Sequence, residues 1–473
     1  MSRIQGFLFC ASFALSSVFA GAVSVTPKTP ELKDGCYQIS SAAELYGFAA
    51  IANGTDGFVK DSLACGKLTK DIVVNENVLD AEGSLNVADT ANFATWTPLI
   101  AFTGSIDGQG HSITGLYFND SLQSPVGLIG STNAPYNSAN REGFNYPEVT
   151  VKNLRVQGSY FRGKFEVGGI VGHAYSNVAT VLDNVSFDGV VVSGRFAGGL
   201  IGGSTGGDGG YVVRNSFNEG SVFAGSGAGG IVGGVYYMNR AWIVNSYNLG
   251  TVTSDSSSGG IVGEHWSYGG ALVNVMNLGE VKLDKQETSI DVKSIVGEKG
   301  YALEMIDNVF YVAPGRNEHY GTAVTAAQLA DGSVASLMHA YDYAGFEGSV
   351  WGQNVGTDSH PVLTGEVKSA TFEARTVTFD THGGENIEIA APKGFAVRIP
   401  DIERAGYENL GWFGNPEFKG DTLSHVAAAD TDATVWGKFM AVASITLNTN
   451  GGTVDSGMVE KYTEGLGAKP PKK

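Results

Sequence analysis

Gly168-Gly169-Ile170-Val171-Gly172 returns as Gly198-Gly199-Leu200-Ile201-Gly202, Gly229-Gly230-Ile231-Val232-Gly233 and Gly259-Gly260-Ile261-Val262-Gly263. Weaker copies stand at Gly127-Leu128-Ile129-Gly130 and Ser294-Ile295-Val296-Gly297. The interval is about thirty residues, a period at which one short unit cannot bury its own apolar face and must stack on the next. An Asn keeps the same rhythm, at Asn153, Asn184, Asn215, Asn245, Asn274 and Asn308, with separations of 31, 31, 30, 29 and 34. Five residues after each of the first five stands Gly158, Gly189, Gly220, Gly250 or Gly279, and two further on Tyr160, Val191, Val222, Val252 or Val281. Each unit thus offers about three short strands between Gly turns, and stacked units of this kind predict an all-β, parallel β-helix solenoid.

Working outward, the composition supports a folded β-rich chain. Gly supplies 67 of 473 residues and Pro only 13, which excludes collagen and a Pro-rich linker. The net charge of −18 argues against nucleic-acid binding, which depends on Lys and Arg displacing counterions from phosphates. Arg3, the apolar run Ile4 to Val18 and Val18-Phe19-Ala20 read as a signal peptide over residues 1–20, so export to the cell surface or medium is expected. No stretch reaches the ~20 apolar residues of a membrane-spanning helix. Removal of Cys10 with the signal leaves Cys36 and Cys65. In an oxidising compartment these form a disulfide, worth about 3 to 4 kcal/mol on the chain-entropy estimate.

After a linker over 21–35, Ser41 and Glu44 have capping-box spacing, and Ala42, Leu45, Phe48, Ala49 and Ala52 share one helical face up to Asn53-Gly54. This predicts a helical cap on the first turn. The polar stretch Ser131 to Pro147 reads as a protruding loop. Thr325 with Gln328, then Ser333 to Tyr343, predict two short helices that close the solenoid.

The units Asn215-Ser216-Phe217-Asn218-Glu219-Gly220-Ser221-Val222 and Asn245-Ser246-Tyr247-Asn248-Leu249-Gly250-Thr251-Val252 resemble the GLUG-motif repeats of bacterial surface proteins. The lead-in is similar to that family's first turn, with Trp96-Thr97-Pro98-Leu99-Ile100 and Phe102 to Leu116. The resemblance covers residues 36–365 and implies a right-handed β-helix in surface or secreted proteins, with no common catalytic residues. Beyond it, Val377-Thr378-Phe379-Asp380-Thr381-His382-Gly383-Gly384, Gly406-Tyr407-Glu408-Asn409-Leu410-Gly411-Trp412-Phe413 and Ala433-Thr434-Val435-Trp436-Gly437-Lys438-Phe439 resemble a Listeria-Bacteroides (internalin B-type) repeat. That implies a small β-grasp-like module over 371–440, used as a spacer or adhesive element. Ile445 to Gly452 starts a second copy that stops at Lys473, so 441–473 is expected to be disordered.

Chemistry on such a solenoid would need carboxylates on adjacent turns. Asp188 and Glu219 share one position, four residues after the aligned Asn, but Gln157, Leu249 and Leu278 occupy it elsewhere and no basic residue recurs beside it. Solvated turns account for both, and a polysaccharide lyase or glycoside hydrolase is the alternative. Tyr236, Tyr237, Trp242, Trp266 and Tyr268 cluster after the Gly phrase and are candidates for stacking on sugars. The aligned Asn residues, with Asn218, Asn248 and Asn277 in a second register, read as amide ladders. Asp107-Gly108-Gln109-Gly110-His111 lacks the pattern of a calcium or phosphate loop and reads as a turn; no metal or cofactor is expected. The expectation is a non-catalytic exported protein that adheres to polysaccharide or extracellular matrix.

Overall fold

The computed structural model describes residues 23–134, 146–175, 177–267, 269–284, 292–301, 303–312, 320–343, 345–444 and 461–463. The signal peptide, most of the loop expected at Ser131 to Pro147 and most of 441–473 lie outside these. Within them, Tyr37, Gly66, Ile106, Val151, Leu182, Val213, Ile243, Leu272 and Ile306 pair successively in parallel. That column defines a β-solenoid of about eight turns. Cys36 and Cys65 are disulfide-bonded across its first two rungs, with Cα atoms 4.5 Å apart.

The chain enters through a hairpin. Asp34 and Gly35 both have positive φ (51° and 76°), and this tight turn pairs Glu31–Lys33 with Cys36–Ile39. Folded structure thus reaches back into the segment expected to be linker. Helix α1, Ala42–Asn53, starts where the Ser41 hydroxyl accepts the Glu44 amide and stops at Gly54, φ 71°. It buries Leu45, Phe48, Ala49 and Ala52 in the core of the first turns.

The Gly phrase and the second-register Asn residues turn out to be one packing device. Ile170, Leu200, Ile231, Ile261 and Ile295 are fully buried, and Val171, Ile201, Val232, Val262 and Val296 stack in register beside them. Across the core, Asn218, Asn248 and Asn277 form a buried ladder in which each Nδ2 donates to the next Oδ1 at 2.8 Å. Asn218 and Asn248 also bond both the N–H and the C=O of Gly220 and Gly250, closing their own turns. A Cβ on Gly199, Gly230 or Gly260 would fall inside the carboxamide of Asn218, Asn248 or Asn277 respectively. The second glycine of the phrase is therefore the seat of the ladder.

The aligned Asn residues hold φ between 46° and 56°, the left-handed region that Asn tolerates. Their ladder is interrupted: Asn184 donates to Asn153, Asn274 to Asn245 and Asn308 to Asn274, but Asn215 turns to Asp183. One register expectation fails. Gly158 (φ 54°) bulges out of the ladder, so Gly189 pairs with Ser159 and Val191 with Phe161 rather than Tyr160. Phe161 takes the inward place, and Tyr160 joins an outer cluster with Phe93 and Tyr117.

Two helices follow, as expected: α2, Ala326–Ala330, with a complete Thr325/Gln328 capping box, and α3, Ser333–His339. The latter stops short of Tyr343, because Asp342–Tyr343 turns at Gly345 to pair with Phe346–Glu347. This segment covers the flank of the late turns. Leu329, Val334, Met338 and Trp351 pack on Tyr247, Met276 and Phe310, which occupy one column on successive rungs. The left-handed Asn residues serve it as anchors: Asn245 donates to Glu347 O and Asn274 to Met338 O.

The C-terminal module is a sheet in the order Ile387–Pro392, Ala374–Asp380, Ala433–Ser444, Tyr407–Phe413, with the middle pair parallel. Val377, Phe379, Trp412 and Val435 form its core. It rests on the solenoid end, where Phe395 meets Phe310 edge-on and Asp307 receives Arg398 and His425.

Candidate functional site

The flank beside the Gly phrase carries a stripe of three rings interrupted by one Thr. Tyr175, Thr205, Tyr236 and Trp266 pair in register on consecutive rungs, which places them about 4.8 Å apart along the axis. Tyr175 is exposed, while Tyr236 and Trp266 are half-buried. The preceding turn supplies a cation: Arg195 stacks over Phe196 at 4.4 Å, and Phe196 lies 5.4 Å from Tyr236.

Carboxylates line the inner side of this stripe. Glu264 is buried, and accepts hydrogen bonds from Ser226 Oγ (2.7 Å) and Tyr236 Oη. Burial, reinforced by that bond, raises the Tyr236 phenol. Glu298 is the register neighbour of Glu264 and is raised by partial burial and by the charge of Glu264. His173 belongs to the same outward column; burial pushes it down to about 4, and its Nε2 shares a 3.0 Å hydrogen bond with Thr205 Oγ1. The Glu264/Glu298 pair was visible in the sequence as a Glu following the last glycine of two successive phrases, Gly263-Glu264 and Gly297-Glu298.

Asp188 and Glu219 do come together, but around a cation. Arg155 lies 2.7 Å from Glu219 and 3.6 Å from Asp188, and its Nε donates to Gln157. In the sequence Arg155 falls at a different register from Asp188 and Glu219, so the repeat alone does not pair it with them. Arg155 stands two residues before Gln157 on the same strand face and reaches across the rungs. Beside this network Phe217 and Tyr247 stack at 4.8 Å, nearly parallel.

The other ring candidates separate from the stripe. Trp242 packs edge-on against Phe346 of the flank-covering segment, 5.8 Å between centroids. The side chain of Tyr237 and the whole of Tyr268 lie outside the described residues. Among the described residues no group of three His, Cys, Asp or Glu could hold a metal, and no helix is long and apolar enough to cross a membrane.

No protein-family model matches the chain, and no curated protein matches it. It is similar to a solved structure from Bacteroides ovatus described as "a putative immunoglobulin A1 protease", with a TM-score of 0.46 and 18% identity. The match covers 71% of this chain and 95% of that one. A superposition at that level assigns no activity to this chain, and the resemblance to GLUG and Listeria-Bacteroides repeats reaches no further than the motifs that carry it.

Proposed function

We propose that this is an exported, non-catalytic binding protein of the cell surface or medium, which holds polysaccharide or extracellular matrix along the Gly-phrase flank. The observation that carries this reading is the in-register stripe Tyr175, Thr205, Tyr236 and Trp266. Rings present C–H-binding faces; Tyr236 and Trp266 stand one rung apart and Tyr175 two rungs before Tyr236, with Thr205 between, an alignment that suits a polymer lying along the axis. The disulfide across the first rungs favours an oxidising compartment. Asp188 and Glu219 spend their charge on Arg155, which counts against that pair as acid and base. On a polysaccharide and matrix-protein array, Trp266→Ala should weaken polymer binding by about tenfold. Equal binding by the variant would sink the reading, as would turnover of any polymer by the native chain.

One observation favours a second reading, a carbohydrate-cleaving enzyme. Glu264 and Glu298 sit on adjacent rungs in unlike environments, an arrangement that separates acid from base. Glu298→Gln would then abolish release of reducing ends. No release from native protein across a polysaccharide panel removes this reading.

A further inference from the structure

A cavity of about 470 Å³ opens on the first turns, lined by none of the residues of the two surfaces above. Its floor is aromatic. Phe93 and Tyr117 meet edge-to-face at 5.2 Å, and Tyr117 stacks on Tyr160 of the next rung at 6.2 Å. Around it stand Thr95, Asn119, Asp120 and Gln123. Asn119 Nδ2 lies 3.3 Å from the Tyr117 hydroxyl.

Both walls are tied to the solenoid backbone. On one side Trp96 N donates to Tyr117 O (2.7 Å), and buried Asn75 clamps Ala94 through its N–H and C=O while also donating to Gly115 O. On the other, Asp120 N donates to Arg162 O, Asp120 Oδ1 accepts Leu122 N at 2.9 Å, and Gln123 O accepts Lys164 N at 2.7 Å. Such a cavity is preformed, so a ligand loses little to ordering it. Its size lies in the range of small-molecule sites, about 300 to 1,000 Å³.

The chemistry of the lining selects the ligand. Amide, hydroxyl and carboxyl groups offer donors and acceptors side by side, as a polyol requires, and half-buried Phe118 with the exposed margins of Phe93 and Tyr117 supplies a C–H-binding surface. Asp120 is the only formally charged residue of the lining, and the neighbouring cation, Arg162 in register with Asn119 on the next rung, stands outside it, so an anionic sugar seated in the cavity would meet a carboxylate first. We infer that this cavity is a second ligand site, which binds one or two units of a neutral saccharide. It stands apart from the polymer-binding reading above and does not depend on it.

The test uses the full chain in calorimetric titrations with N-acetylglucosamine, galactose, mannose and glucuronate. The double variant Asn119→Ala/Gln123→Ala removes two exposed side chains, and an unchanged melting temperature verifies its fold. At least one neutral sugar should bind, about tenfold more weakly in the double variant and unchanged in Trp266→Ala. Glucuronate should bind more weakly than the neutral sugar. Absence of binding by all three neutral sugars, equal affinity in the double variant, or a preference for glucuronate overturns the assignment. Loss in Trp266→Ala alone also overturns it, because the sugar then sits on the ring stripe, and leaves the polymer-binding reading standing.

Discussion

Gly230 and Asn248 are 18 residues apart in sequence and occupy one another's space, so each constrains what the other can be. Gly230→Ala should destabilise by about 1 to 3 kcal/mol, because its methyl group displaces the buried carboxamide. Asn248→Ala should cost a similar amount through unsatisfied partners in the Gly250 turn and along the ladder. The two costs should not add. With the carboxamide gone one of the two groups crowding the methyl is removed while the Gly260 carbonyl oxygen stays, so Gly230→Ala should remain destabilising in the Asn248→Ala background but less so. A double-mutant cycle in denaturant should give coupling above about 0.5 kcal/mol; strict additivity would contradict the shared-space account. Both members of the pair were legible in the sequence as repeats. Their coupling was not, because a period shows which positions are equivalent and not which ones meet across a core.

Among elements, α1 carries the clearest electrostatic stake. Glu44 receives the Lys28 ammonium, the Ser40 hydroxyl and the Ser40 amide, and these hold its carboxyl down at about 2 despite burial. A depressed carboxylate contributes stability that is fully present above its unfolded value, about 4.5, and is lost as pH falls through the folded value. The native chain should therefore exceed Glu44→Gln in unfolding free energy by a constant margin above about pH 5, and the margin should shrink between about 4.5 and about 2. A margin that grows on acidification would contradict the assignment. The same turns depend on Cys36–Cys65, whose replacement by Ser at both positions should lower stability by about 3 to 4 kcal/mol in denaturant titrations. Helix starts were legible in the sequence because Ser41 and Thr325 act locally. The bulge at Gly158 was not, since one inserted residue in a thirty-residue unit leaves the period almost intact while moving every later side chain to the other face.

For the whole molecule, the solenoid and the C-terminal β-sheet module form a joined body instead of a string of beads. The joint is Asp307, which stands in the column of Val244 and Val273 and whose side chain is 4% exposed. An acid in an apolar column was the one sequence trace of this contact; its partners Arg398 and His425 lie about a hundred residues away and in another module, where no local pattern could announce them. Arg398 reaches Asp307 at 3.0 Å while its guanidinium stacks 3.3 Å over Tyr343, and His425 Nε2 and Tyr341 Oη approach at 2.7 and 3.0 Å. Burial alone would raise the Asp307 carboxyl, but His425, Arg398 and Tyr341 together hold it below the ordinary range. Removing the carboxylate leaves Arg398 half-desolvated without its counter-charge, a loss of about 3 to 5 kcal/mol in buried pairs. Asp307→Ala should thus undock the module while leaving each part folded, and the radius of gyration in solution scattering should rise. In the native chain the joint contributes most above pH 3.8 and weakens as pH falls below it, because the folded carboxyl is the stronger acid. Scattering curves that coincide for native and variant chains at pH 7 would show that Phe395 on Phe310 holds the module unaided, and that the ion cluster orients the joint without securing it.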